Sequence, residues 1–354
     1  MRRLAPALLV SALPLLLFGA FPARADGPLP LRSAAPQLHR LEAADAFTFI
    51  GGGDIALPGN ADPRVLAGVR SYLHGVDLAV GNLEGTLTTG GSPKCSGGKG
   101  CFTFRGSPAW APALRAAGFS VLNVANNHAL DFGPGGQRDT LAALQRAGLL
   151  EQGLPGQVLY VSIRGNRIAL IGCAPYEWAQ SLLDIMGTAR LVRRAAQRAD
   201  VVIVYIHAGA EGASAAHVQN ISETYLGEPR GNSTAFAHAM IGAGADLVFG
   251  SGPHVVRGVE WYGRRLIAYS LGNLAGTSTL STSGTLGTSA LLRATIDTHG
   301  RILAASIVPL RLSTSGTPSF DPTRDAVSRI RELSREDFGA RATRISAAGR
   351  LSRP

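Results

Sequence analysis

Five short apolar runs dominate this sequence, and each stops abruptly at residues able to bind a metal or carry a proton. FTFI runs into Gly51-Gly52-Gly53-Asp54, and DLAV into Gly81-Asn82-Leu83-Glu84. VLNVA ends at Asn126-Asn127-His128, DVVIVYI at His207, and DLVF at Gly250-Ser251-Gly252-Pro253-His254. Runs this short, bounded by glycine and polar side chains, read as buried strands. The triple glycine is read as a turn using unusual backbone dihedrals. Helical stretches fill the gaps at 63–74, 108–117, 135–147, 181–199 and 233–243. Strands alternating with helices imply mainly parallel sheet with helices on its faces. Antiparallel hairpins are expected at 158–172, 258–270 and 290–310, the first turning on Arg164-Gly165-Asn166. No linker separates the halves, so the chain reads as a single α/β domain with two sheets, spanning 47–312.

In open α/β sheets, ligands bind outside the carboxyl ends of the strands. Taken singly, each strand end has an ordinary reading: an Asp after glycines as a turn residue, a His as a hydrogen-bonded structural group. Five on one rim are hard to explain by packing. Asp54, Asn82, Glu84, Asn127, His207 and His254 are therefore read as a metal-binding set. Carboxylate, amide oxygen and imidazole suit Mn, Fe or Zn better than Ca. One or two such ions would activate water and polarise a phosphoryl oxygen. Asp131 follows His128 by three residues and is read as its hydrogen-bond partner, with His128 giving a proton to a leaving group. The ordinary alternative for Asp131 is a turn residue ahead of Phe132-Gly133.

The flanks differ from this core. Residues 1–25 carry Arg2 and Arg3, an apolar stretch and Ala23-Arg24-Ala25, the layout of a secretory signal peptide. An uncleaved anchor is the alternative, and either places the protein outside the cell or in its envelope. Residues 26–46 read as a Pro/Ala-rich flexible linker. Residues 313–354 read as a charged helix and an Arg-rich tail, disordered from 339 onward. The formal net charge of +10 falls to +7 without the three arginines of the leader, which holds no acid. Those charges are scattered, so no nucleic-acid groove is indicated. Attraction to an anionic polymer or a membrane surface and plain compositional bias are both open readings. In an oxidising compartment Cys95 and Cys101, six apart in a Gly/Ser/Lys loop, are expected to pair. Cys173, at the end of IALIGC, is read as a buried free thiol.

In order, the blocks GGGDIAL, GNLEGTLT, ANNHALDFG, HAGAE, GADLVFGSGPHVV and YSLGNL resemble the CapA family of capsule-synthesis and poly-γ-glutamate biosynthesis proteins, relatives of calcineurin-like metallophosphoesterases. The resemblance covers about residues 47–310. It implies a four-layer α/β/β/α metallophosphoesterase-like sandwich. It gives Asp54 the role of the first-motif aspartate, Asn127 and His128 those of the metal-binding and catalytic pair, and His207 and His254 those of later metal ligands. Three positions depart from the superfamily pattern: Ala56 where a histidine is usual, Asn82 where a bridging aspartate is usual with Glu84 as the acidic substitute, and Gly252 where that branch commonly has histidine. The resemblance implies an exported protein serving an anionic surface polymer through a phosphoesterase-type site. A non-catalytic fold that binds polymer is the alternative.

Overall fold

Phe47 and Phe49 face one way along the first strand and Ile50 the other, and all three are fully buried. A strand apolar on both faces must be covered on both, and that requirement sets the layering. The computed structural model describes residues 46–95, 100–277 and 279–354. The leader at 1–25 and all but the last residue of the 26–46 linker lie outside the described residues.

Phe47–Ile55 runs parallel to Leu78–Leu83, which pairs with Val121–Asn123 and then Leu150–Gln152. On its other side lie the antiparallel strands Thr288–Ile296 and Ile302–Leu312. A second sheet has the parallel strands Asn166–Ala174, Val201–His207, Leu247–Ser251 and Arg265–Ala268. Its antiparallel edges are Leu159–Ile163 and Val259–Tyr262. The sheets stack face to face: the Phe249 ring meets Phe49 edge-on at 5.0 Å and Tyr205 at 4.8 Å. Truncating such a ring to alanine costs about 3–5 kcal/mol.

The outer face of the first sheet is covered by α1 (Ala67–Leu73), α2 (Trp110–Ala117) and α3 (Gly133–Arg146). The outer face of the second is covered by α4 (Ile185–Ala196) and α5 (Ser233–Ala243). The result is the expected α/β/β/α sandwich. Asp77 ties the layers together, accepting from the Thr48 amide at 2.7 Å and hydroxyl at 2.8 Å, and from Arg164 of the other sheet's hairpin at 3.0 Å. Among the described residues, no helix is long and apolar enough to cross a membrane.

Two expectations need correction. Gly51, Gly52 and Gly53 are not a turn; they lie inside the strand with no left-handed φ. Glycine is needed there for close approach. A Cβ on Gly51 would sit 2.5 Å from the Phe249 ring, and one on Gly53 would overlap the Gly272 carbonyl oxygen. The second correction concerns 339–354, which is ordered into the domain. α6 (Asp325–Phe338) packs Ala326, Val327 and Ile330 into the core between the sheets. Arg344–Ile345 and Arg350–Ser352 then extend the first sheet beyond Ile302–Leu312, burying Ile345 and Leu351.

Candidate metal centre

Sheet register assembles the site. Asp54 lies beside Asn82, and Asn82 beside Asn123, so the polar ends of three neighbouring strands share one level. In the second sheet His207 pairs with Ser251. The chain then turns at Gly252, with φ 116°, and carries His254 at φ 61°. That φ is strained for a residue with a Cβ, and the contacts of the imidazole hold it there. His254 Nδ1 lies 2.9 Å from Asn273 Oδ1 and 3.2 Å from Asp54 Oδ2. The Asn273 amide nitrogen donates to the carbonyls of Ser281 and Leu286, so its oxygen must face the histidine. His254 therefore carries a proton on Nδ1 and turns Nε2 toward Glu84 and Glu211, at 3.7 and 3.6 Å.

Asp54, Glu84 and His254 each offer a ligand atom, and these atoms lie within 4.8 Å of one another. Glu84 is the telling member. It is 1% exposed, neither carboxylate oxygen has a hydrogen-bond partner, and the nearest imidazole nitrogens, at 3.7 and 3.8 Å, are too far to bond. An uncompensated buried charge costs several kcal/mol. A divalent cation between two carboxylates and an imidazole would satisfy it, and that donor set suits Mn, Fe or Zn.

Protonation follows the same logic. Burial pushes the Glu84 carboxyl well above its usual range, and the adjacent Asp54 charge pushes it further. Burial acts on Asp54 too, but the His207 and His254 imidazoles beside it outweigh it and hold that carboxyl low. Burial would depress His254; the carboxyls of Glu84 and Asp54 more than reverse this and raise it. Glu84 cannot both hold a proton and attract His254 as an anion. The direction that stands is Asp54 ionised beside a protonated His254, with Glu84 the group that resists ionisation.

The remaining expected residues converge on the same rim. His128 Nδ1 lies 2.7 Å from Asp131 Oδ2, which also accepts from the Phe104 amide at 2.6 Å. Lys94 forms an ion pair with the other Asp131 oxygen at 2.7 Å. The Phe104 ring stacks on the His128 imidazole at 3.9 Å. Burial drives the His128 pKa below its ordinary value, and Asp131 partly opposes this. Asp131 is thus a fully buried partner of His128. His207 Nε2 lies 2.9 Å from Asn127 Oδ1 and its Nδ1 3.2 Å from Asn82 Nδ2. Cys95 and Cys101 form a disulfide beside Lys94, at the rim of a cleft that also contains His128, Glu211, Tyr225 and Arg230.

Several residues here went unassigned in the sequence reading. Asn273 sits in the YSLGNL block, but its partner is 19 residues upstream and no local pattern reveals it. Asn123 and Asn126 both donate to Asn82, at 2.8 and 3.1 Å. Arg230, 3% exposed, pairs with Glu211 at 2.7 Å and brings the hairpin of Glu223–Tyr225 and Glu228–Gly231 over the cleft. That hairpin is anchored by buried Arg257, which donates to both Glu223 oxygens at 2.9 and 2.7 Å. Gly252 answers for the departure at its position. A Cβ there would meet the Ala208 amide nitrogen at 2.8 Å, and φ is left-handed, so no histidine fits without moving the backbone.

The family described as bacterial capsule synthesis protein PGA_cap matches residues 55–278, more than half of the chain. The capsule biosynthesis protein CapA of Bacillus anthracis is 32% identical over 183 residues, covering 46% of this chain and 41% of that protein. A probable polyglutamine synthesis accessory protein of Mycobacterium tuberculosis is 33% identical over 223 residues, covering 56% and 55%. The chain thus spans roughly half the length of these relatives. Among solved structures, a 5'-nucleotidase precursor from Thermus thermophilus aligns with a TM-score of 0.43 and 13% identity, covering 85% of this chain and 61% of that one.

Proposed function

The chain belongs to the bacterial capsule synthesis protein family PGA_cap, and from that premise we propose that it is an exported envelope protein serving the synthesis, export or anchoring of an anionic surface polymer through a metal-dependent phosphoesterase-type site. The observation that carries the chemistry is Glu84, buried without a partner between Asp54 and His254. Asp54, Glu84 and His254 would hold the ion, with Glu211 within reach of the same imidazole. A divalent ion held there supplies Lewis-acid polarisation of a phosphoryl oxygen and a water of lowered pKa.

The chain's own residues do the rest. Asp131 accepts from Nδ1 of His128, so Nε2 is the nitrogen that meets substrate. The Phe104 ring covers one face of the imidazole and keeps water from it. A protonated His128 would give its Nε2 proton to the departing oxygen. Lys94 and Arg230 line the cleft in front of it and suit an anionic substrate such as a phosphodiester or a carboxylate-rich chain.

A second reading, a polymer-binding module without turnover, is favoured by one observation: the backbone at Gly252 leaves no room for a histidine ligand at that position. Metal analysis and a bis-aryl phosphate assay on the purified protein separate the two. Bound Mn with turnover that is lost in Asp54→Ala and His128→Ala supports the enzyme. Bound metal without turnover, together with salt-sensitive retention of poly-glutamate, supports the binding module. Activity that survives both substitutions would place the chemistry elsewhere.

A further inference from the structure

We propose that Asn82 enters the centre as an amide donor rather than a metal ligand, and that the centre therefore holds a single divalent ion. This rests on the metal reading above and narrows it. The orientation of the Asn82 amide is fixed by its neighbours. Asn123 Nδ2 donates to the Ala125 carbonyl at 2.9 Å, and Asn126 Nδ2 to the Leu83 carbonyl at 2.9 Å. Asn126 Oδ1 also accepts from the His128 amide at 3.0 Å. Backbone carbonyls only accept and backbone amides only donate, so neither side chain can be flipped. Both amide nitrogens then donate to Asn82 Oδ1, at 2.8 and 3.1 Å, and use its two lone pairs.

The Asn82 nitrogen is what remains to face the site. It has two hydrogens and two acceptors, Asp54 Oδ1 at 2.8 Å and His207 Nδ1 at 3.2 Å. His207 thereby spends its lone pair on Nδ1, so its proton is on Nε2 and goes to Asn127 Oδ1 at 2.9 Å. The histidine and asparagine that a second ion would need are bonded to each other. No side chain comes from position 252 to replace them. What stays open is the group of Asp54, Glu84 and His254.

A carboxylate at position 82 would reverse this arrangement. It could still accept from Asn123 and Asn126, but it could not donate to His207. The His207 proton would move to Nδ1, freeing the Nε2 lone pair and Asn127 Oδ1. One substitution would thus supply three donors for a second ion.

The test counts metal. Metal-stripped protein is dialysed against MnCl2, bound Mn is measured by mass spectrometry, and the same samples are examined by electron paramagnetic resonance. The wild type is expected to saturate at one Mn per chain with the spectrum of an isolated ion. Asn82→Asp is expected to reach two, with an exchange-coupled spectrum. Asn127→Ala is expected to keep the wild-type affinity within about twofold, whereas loss of a ligand, or even of a residue bonded to one, would weaken it by roughly tenfold or more. Two ions in the wild type, a folded Asn82→Asp protein that stays at one, or a weakened Asn127→Ala protein would each overturn the inference. If Asn82→Asp does not fold, the wild-type count and Asn127→Ala decide. No bound Mn in the wild type would sink the metal reading itself, an outcome distinct from two.

Discussion

Glu84→Gln should change the sign of its effect with metal. In metal-free protein Glu84 is buried, unpartnered and next to an ionised Asp54, which raises its pKa well above the ordinary 4.5. Between 4.5 and that raised value, the folded protein keeps a proton that the unfolded chain has released. Folded protein then binds more protons than unfolded, so stability falls as pH rises through this window and is unaffected below it. The loss is about 1.4 kcal/mol for each pH unit crossed. Glutamine has no such proton to release, so the variant should be the more stable protein in chelator, increasingly so as pH rises through that window. In melting temperature, each kcal/mol corresponds to about 2–4 °C for a domain of this class. With Mn the order reverses. An ion at a hundred times its dissociation constant stabilises the wild type by about 2.7 kcal/mol, and the variant, lacking an anionic ligand, should gain far less. The assay is thermal unfolding of both proteins at several pH values, in chelator and in Mn. A variant less stable than wild type in chelator at neutral pH would refute the claim that Glu84 is unpaired. Equal stabilisation of both proteins by Mn would refute its role as a ligand.

Asp131→Asn removes the group that opposes the burial of His128. Turnover of a bis-aryl phosphate should fall by roughly 100-fold and its alkaline limb should move to lower pH; an unmoved limb would count against the pairing. Asp77 accepts three hydrogen bonds, which overcome a burial effect of opposite sign and hold its carboxyl below the ordinary range. Its stabilisation is therefore present above pH 4 and lost as pH falls through the lowered value. Asp77→Asn should cost about 1–3 kcal/mol in urea unfolding at neutral pH, a difference that should vanish in acid. Gly53→Ala places a methyl on the Gly272 carbonyl oxygen and should cost more than about 3 kcal/mol; a soluble variant with unchanged melting would show that the two strands separate easily.

The rim of the site could be read from sequence because parallel strands concentrate apolar residues in short runs, and each run here ends on a group that packing does not need. Asp54, His128, His207 and His254 were visible for that reason. The couplings among them were not. The orientation of Asn82 is set by Asn123 and Asn126, more than 40 residues away, and by two carbonyls. The triple glycine was misread because the atoms that exclude its Cβ belong to Phe249 and Gly272. The last sixteen residues carry an Arg/Ser/Ala composition that suggests disorder, and strands of two and three residues are too short to show a period. Their order comes from Ile345 and Leu351 reaching a core built by distant segments.

Those two short strands also decide how the first sheet ends. Ile302–Leu312 is eleven residues long, and Arg350–Ser352 occupies its Ala305–Ser306 stretch. The outermost strand beyond it is only Arg344–Ile345, too brief and too charged to recruit another chain. A protein cut before Arg344 would present part of a long, apolar strand with unpaired amides and carbonyls to its neighbours. Self-association in such a truncated protein would thus arise far from the metal centre, from the loss of a cap on the sheet.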